Sequence, residues 1–154
     1  MPVPQLTRNH VILALDYASV GPWDAKQRSG AWGPIKPGTI LGADGSGTVV
    51  AVAADVTRLR VGDRVYSYSY GNPQGGFYAE YISLPADRVE RAFPNGIARH
   101  LPVKRQRRMA VDLGLRLRTI PLKTEEYSLD QVVDAHRRLE QGHVEGKIVL
   151  RIRR

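Results

Sequence analysis

The stretch ILGADGSGTVVAVAADVTRLRVGDRVYSYSYG, residues 40–71, sets Gly42, Gly45, Gly47 and Gly62 around Asp44. Glycines at this density either cradle a phosphate or turn a chain. A dinucleotide fingerprint runs G-x-G-x-x-G after a strand and opens a helix. GADGSG runs G-x-x-G-x-G and leads into TVVAVA, a β-branched strand sequence. No Gly-Lys-Ser/Thr follows, so the P-loop pattern is absent too. The structural reading is favoured, with glycines permitting close approach at a barrel corner and Asp44 hydrogen-bonded within its own turn. Other chemistry is sparse. Cysteine is absent, which removes disulfides, thiolate metal sites and cysteine nucleophiles. His10, His100, His136 and His143 are scattered and keep no metal-ligand spacing.

The elements that must position such groups are mostly short strands. VILAL at 11–15 reads as a buried strand, and the following DYASVGPWDAKQRSGAWGPIKPGTI as irregular, with one helical turn in DAKQRSG ended by Gly30. TVVAVA at 48–53, RVYSYSY after the VGD turn and FYAEYISLP ending at Pro85 read as strands. In RVYSYSY, Tyr66, Tyr68 and Tyr70 alternate with serine and share one face. SLDQVVDAHRRLEQG changes period. Ser128 and Gln131 form a capping box, Leu129, Val132, Val133, His136 and Leu139 fall on one stripe, and Gly142 is the stop. KIVLRI is a last strand.

Composition bounds the rest. Hydrophobic residues make 42% and charged residues 25% of the 154, the mix of one ordinary globular domain. No apolar run approaches the roughly 18 residues of a membrane helix. MPVPQLTRNH lacks the basic-then-apolar design of a signal peptide, which makes cytoplasm the expected compartment. The net charge of +8 is concentrated at residues 99–118, where seven Arg or Lys face one Asp. That basic run contains no aromatic residue in RHLPVKRQRRM, so a solvated junction is favoured over a nucleic-acid site.

LGADGSGTVVAVAADVTRLRVGDRV, FYAEYISLPADRV and YSLDQVVDAHRRLEQGHVEGKIVLRI occur in an order that resembles the medium-chain dehydrogenase/reductase superfamily. The resemblance implies a mainly β fold with a few helices: a GroES-like β-barrel completed by a carboxy-terminal helix and strand. It divides the chain into a barrel over 1–95, a basic linker over 96–112 and a returning segment over 113–154. The linker stands where superfamily members insert a Rossmann domain, and no such domain is expected here. Where the alcohol dehydrogenase branch places a zinc-ligating Cys and His, this chain has Gly21 and Ala43. The pattern is closer to the zinc-independent quinone oxidoreductase branch, relatives of zeta-crystallin, although that branch's usual Asn before Pro22 is Gly21.

In that branch Tyr17, Pro22, Trp23 and Asp24 lie in the substrate-side segment, and Tyr68 joins them as a candidate pocket residue. Each has a plainer role open to it. Asp24 either orients a substrate or nicotinamide group or caps a turn or helix. Trp23 and Trp32 are pocket walls or core, and the tyrosine ladder lines a pocket or is a half-exposed sheet face. Asp63, Arg64 and Lys147 read as turn, strand and solvated residues. The family's cofactor is NADPH and its substrates are quinones or enones. No cofactor is expected on this chain, no metal residue is assigned, and activity alone is expected to be poor. The rival is a non-catalytic binding or assembly module. An apolar barrel face left bare by a missing domain implies a homo-oligomer.

Overall fold

The computed structural model describes residues 4–92 and 123–153. In chain order these form β1 (His10–Val20), α1 (Pro22–Arg28), β2 (Asp44–Val52), β3 (Arg64–Tyr68), β4 (Tyr81–Pro85), β5 (Val89–Arg91), β6 (Thr124–Ser128), α2 (Val132–Glu140) and β7 (Lys147–Arg151). The strands make one seven-stranded mixed sheet in the order β5-β3-β2-β1-β7-β6, with β4 paired to β1 off that path. The expected linker at 96–112 lies outside the described residues.

β1 organises the sheet. VILAL extends through DYASV into an 11-residue strand, so the stretch read as irregular is strand up to Val20. One edge of β1 pairs antiparallel with β2, with register shifts at Ile12/Leu13 and Leu15/Tyr17. The other edge is shared. β4 covers His10–Ala14 and β7 covers Tyr17–Val20, both antiparallel. At the fork between them the Arg153 guanidinium donates to the carbonyls of Ala14 and Leu15, both at 2.9 Å, and to Asp16 Oδ1 at 2.7 Å. Covered on both sides, Val11, Leu13 and Leu15 are fully buried with Val49, Val65, Phe77, Ile82, Leu84, Ile148 and Leu150. Truncating one such leucine to alanine costs about 2–5 kcal/mol.

β3 keeps the tyrosine-serine alternation with an unexpected inside. Ser67 and Ser69 are buried, and the tyrosines face outward. The serines are tolerated there because Arg88 satisfies them: Ser67 Oγ donates to the Arg88 carbonyl at 2.7 Å, and Arg88 Nη1 donates to Ser69 Oγ at 3.2 Å. Arg64 opens β3, and Asp63 shapes the turn before it by accepting the Arg60 N–H at 2.9 Å. The FYAEYISLP strand is shorter than read, beginning at Tyr81 and ending at Pro85 as expected.

The carboxy-terminal part follows its signals closely. Ser128 N–H donates to Gln131 Oε1 at 3.0 Å, closing the capping box around a 3-10 turn at Leu129–Gln131 that leads into α2. Gly142, at φ 75°, follows the last turn. The buried stripe shifts by a residue from the expected one. Ala135 and His136 are inside, while Val133 is exposed. β6 pairs with β7 in parallel, the single parallel pairing among the described strands. No described helix is long and apolar enough to cross a membrane.

Candidate functional site

The candidate site is built on α1 and the strand ends around it. Pro22 occupies the first turn of α1, where its missing N–H costs nothing and its fixed φ suits a helix. Asp24 folds back so that its Oδ2 accepts the Gly21 N–H at 2.9 Å, a helix-capping bond. Yet Asp24 is only 1% exposed, and its Oδ1 has no hydrogen-bond partner. Burial pushes the Asp24 carboxyl above the usual carboxylate range. The Gly21 N–H opposes that shift, and the neighbouring charge of Asp44 adds to it.

Asp44 has partners far from its own turn, which corrects the expected local role. Ser19 Oγ donates to Asp44 Oδ1, and Lys147 Nζ donates to Asp44 Oδ2 at 3.1 Å. Lys147, expected to be solvated, therefore ties the start of β7 to the start of β2. Asp44 through Gly47 belong to β2, so the glycine stretch is mostly strand rather than a corner. What the glycines provide is clearance. A Cβ on Gly42, whose φ is 101°, would stand 2.7 Å from Tyr78 Cδ1 and 2.8 Å from the Phe77 nitrogen. A Cβ on Gly47 would run into the Ala14 carbonyl oxygen of β1. The stretch admits Phe77, Tyr78 and a neighbouring strand, and no helix follows it to receive a pyrophosphate.

Trp23 and Trp32 lie on the surface at 54% and 50% exposure, so the core reading does not hold for them. Their rings are 6.1 Å apart, and Tyr70 meets Trp32 edge-on at 5.6 Å. Lys26 Nζ sits 5.9 Å from the Trp32 ring centroid. The result is an aromatic wall flanking α1. Of the sequence candidates, the structure gathers Pro22, Trp23 and Asp24 on one helix. Tyr17 sits on β1 opposite Ser46 and Arg151, and Tyr68 ends β3 opposite Asp44. Both are exposed, on strands rather than on the helix.

Tyr78 is the site residue that sequence reasoning missed. Its hydroxyl is buried, and burial, the charges of Asp24 and Asp44 and a hydrogen-bonding contact with Asp24 keep the phenol neutral well above its ordinary range. Its ring meets His136 of α2 edge-on at 5.9 Å. Its burial rests on the clearance at Gly42 of its partner segment, a contact that only the folded chain shows. Asp24, Asp44 and Tyr78 thus interact electrostatically, and Tyr78 in turn meets His136 of α2.

Comparison with known proteins places this geometry. The family model of the alcohol dehydrogenase GroES-like domain matches residues 7–94, and that of the zinc-binding dehydrogenase matches residues 114–150. The chain therefore belongs to the alcohol dehydrogenase GroES-like domain family, within the medium-chain dehydrogenase/reductase superfamily. It is 43% identical over 91 residues to the trans-enoyl reductase mpsG of Macrophomina phaseolina, covering 56% of this chain and 24% of that protein. It is 36% identical over 101 residues to lovC, the enoyl reductase component of lovastatin nonaketide synthase from Aspergillus terreus, covering 63% of this chain and 27% of that protein. The chain thus spans about a quarter of the length of these curated relatives. Among solved structures, the quinone oxidoreductase from Coxiella burnetii superposes with a TM-score of 0.75 at 16% identity, covering 99% of this chain and 93% of that one. The fold is GroES-like, as the sequence implied, and no Rossmann unit stands among the described residues.

The name of the second family implies zinc, and the donors do not suit it. Gly21 and Ala43 offer no ligand atom, and cysteine is absent. Among the described residues, no group of three His, Asp or Glu side chains could hold a metal ion.

Proposed function

We propose that this chain is the substrate-binding barrel of a zinc-independent medium-chain reductase that saturates a carbon–carbon double bond conjugated to a carbonyl, as in an enoyl ester, an enone or a quinone. The observation that carries this reading is the exposed aromatic wall of Trp23, Trp32 and Tyr70 beside a buried, partly desolvated Asp24. A flat conjugated acceptor stacks on such a wall, and the polarised edges of the rings favour offset or edge-on contact. The trans-enoyl reductases, matched at 36–43% identity, support the same substrate class. Tyr17 and Tyr68 extend the substrate-facing surface from β1 and β3. Asp24 holds the start of α1 through the Gly21 N–H and so fixes where Trp23 projects. NADPH supplies the hydride in this superfamily when bound. The barrel supplies orientation and exclusion of water. Without a nucleotide-binding fold of its own, the described barrel reduces such substrates poorly by itself, and it works in the cytoplasm as a homo-oligomer.

A second reading has support as well. The two family models leave only residues 95–113 between them, and the glycine stretch does not cradle phosphate. A barrel kept as a non-catalytic binding or assembly module fits those facts. Tryptophan fluorescence separates the two readings. Titration with a naphthoquinone and with a crotonyl thioester should give saturable quenching that Trp32→Ala weakens at least tenfold, with NADPH titrated in parallel. Absence of saturation by either acceptor overturns the reductase reading. A defined oligomer in sedimentation, with no affinity for acceptor or NADPH, would establish the assembly module instead.

A further inference from the structure

α1 is a helix of seven residues, too short to hold its place by its own hydrogen bonds. Asp24 is its single buried residue, so a carboxyl rather than an apolar side chain seats it on the barrel. The Oδ2 atom of that carboxyl accepts the Gly21 N–H at 2.9 Å, a bond within the helix start itself. Oδ1 is left without another partner, and so is the hydroxyl of Tyr78. Both atoms are buried, and the two side chains are in contact. A buried acceptor beside a buried hydroxyl, each otherwise unpaired, is the pairing that burial demands. The neighbours leave it free to form. Asp44 is taken by Ser19 and Lys147. His136 meets the Tyr78 ring edge-on and takes no hydrogen bond from the hydroxyl. Among the described residues, Tyr78 is the one side chain in hydrogen-bonding contact with this carboxyl, beside backbone groups of Gly21, Ala43 and Asp24 itself.

We propose that Tyr78 is the positioning residue of the aromatic wall: its hydroxyl donates to the free oxygen of Asp24, and through Asp24 it sets the seat of α1 and the direction in which Trp23 projects. Tyr78 is itself rigidly held. Its N–H donates to the Leu41 carbonyl at 2.9 Å, the Phe77 N–H to the Gly42 carbonyl at 3.0 Å and the Gly76 N–H to the Ile40 carbonyl at 2.9 Å. Gly42 leaves the ring its place, since a Cβ there would stand 2.7 Å from Tyr78 Cδ1. A donor fixed in the barrel thus reaches a helix that has no other buried side chain. The contact runs from Tyr78 through Asp24 to Gly21, two residues before Trp23. Its weight for function rests on the reading of Trp23, Trp32 and Tyr70 as the acceptor surface, while the seat of the helix does not.

Tyr78→Phe keeps the ring and removes the hydroxyl. In the full chain, the exciton couplet of Trp23 and Trp32, whose rings lie 6.1 Å apart, should lose at least half its amplitude as Trp23 is released. The Asp24 carboxyl carbon resonance, assigned by its loss in Asp24→Asn, should titrate at higher pH than in the native chain, since the charged form has lost a donor. An unmoved couplet or an unmoved midpoint overturns the proposal even where urea stability falls, because packing alone would then explain the hydroxyl. Should the variant fail to fold, the native chain decides. The Tyr78 ring carbon that bears the hydroxyl should shift with the same pH midpoint as the Asp24 carboxyl, and separate midpoints would overturn the pairing. Couplet and titration need no acceptor. If both move while a naphthoquinone fails to quench the native chain, the positioning role stands and the substrate reading falls. If the naphthoquinone does bind the native chain, Tyr78→Phe should weaken it about fivefold, and an unchanged affinity would overturn the role at the wall.

Discussion

Arg153 and Asp16 meet across 137 residues of chain, Nη2 to Oδ1 at 2.7 Å, where β4 leaves the edge of β1 and β7 takes over. The same guanidinium satisfies the carbonyls of Ala14 and Leu15, whose side chains are buried. An arginine fork reaches three acceptors at once, and a lysine ammonium does not reproduce that geometry. Arg153→Met should therefore cost about 2 kcal/mol, since it strands carbonyls that water reaches poorly. Arg153→Lys should recover less than half of that loss in urea denaturation. Equal stability of all three proteins would show that the fork is satisfied by other means.

Asp24 should make stability depend on pH in a direction opposite to an ion-paired carboxylate. Its folded pKa is raised, chiefly by burial, so the folded state holds this proton more tightly than the unfolded chain. Its contribution is complete below the ordinary carboxylate range and is lost as pH rises through the raised value. Asp24→Asn keeps an acceptor for the Gly21 N–H and has nothing to ionise. The stability of the variant relative to the native chain should increase between about pH 3 and about pH 7. Parallel urea midpoints across that range would refute the assignment.

The glycines should separate sharply by surroundings. Gly47→Ala drives a methyl into the Ala14 carbonyl of β1, a backbone atom that cannot step aside. Loss of about 3 kcal/mol or more is expected, a large share of the about 5–15 kcal/mol that stabilises a typical domain. Gly38, at φ 81°, has nothing within 4 Å of an added Cβ. Gly38→Ala should cost only about 1 kcal/mol, the backbone penalty of a left-handed conformation. Thermal melts of the two variants check the contrast directly.

Trp23 and Trp32 are the two tryptophans of the chain, with ring centroids 6.1 Å apart and planes inclined by 31°. Transitions that close and inclined couple. An exciton couplet should therefore stand in the far-ultraviolet circular dichroism, and Trp23→Phe or Trp32→Phe alone should abolish it. A spectrum unchanged by either substitution would mean that the rings do not hold this arrangement in solution.

Much of the architecture was legible because its signals are local. The capping box of Ser128 and Gln131, the Gly142 stop and the turn at Gly62 each act within a few residues. The outward face of Tyr66 and Tyr68 follows from strand alternation. What escaped depends on distant partners. Asp44 is satisfied by Ser19, 25 residues away, and by Lys147, 103 residues away, so no local rule predicts its role. β6 is a polar segment, TEEYS, whose reason to be a strand is its pairing with β7. Ser67 and Ser69 contradict the usual hydrophobic interior because Arg88 reaches both, a contact invisible in the alternation itself. At the candidate site, Trp23 and Asp24 were identifiable by type and position. Tyr78 was not, because its burial comes from Gly42 giving way beneath it.

The shared edge of β1 also shapes how the protein comes into being. During synthesis β1 emerges early, and β2 and β4 can join it once residue 85 has been made. The half from Tyr17 to Val20 must wait for residues 147–151. Between the synthesis of Val20 and that of β7 a growing chain therefore carries an open strand edge, the kind of surface that recruits wrong partners. Slow decoding ahead of β7 would lengthen that exposure, so yield in the cell should respond to codon choice there more than to codon choice in β2.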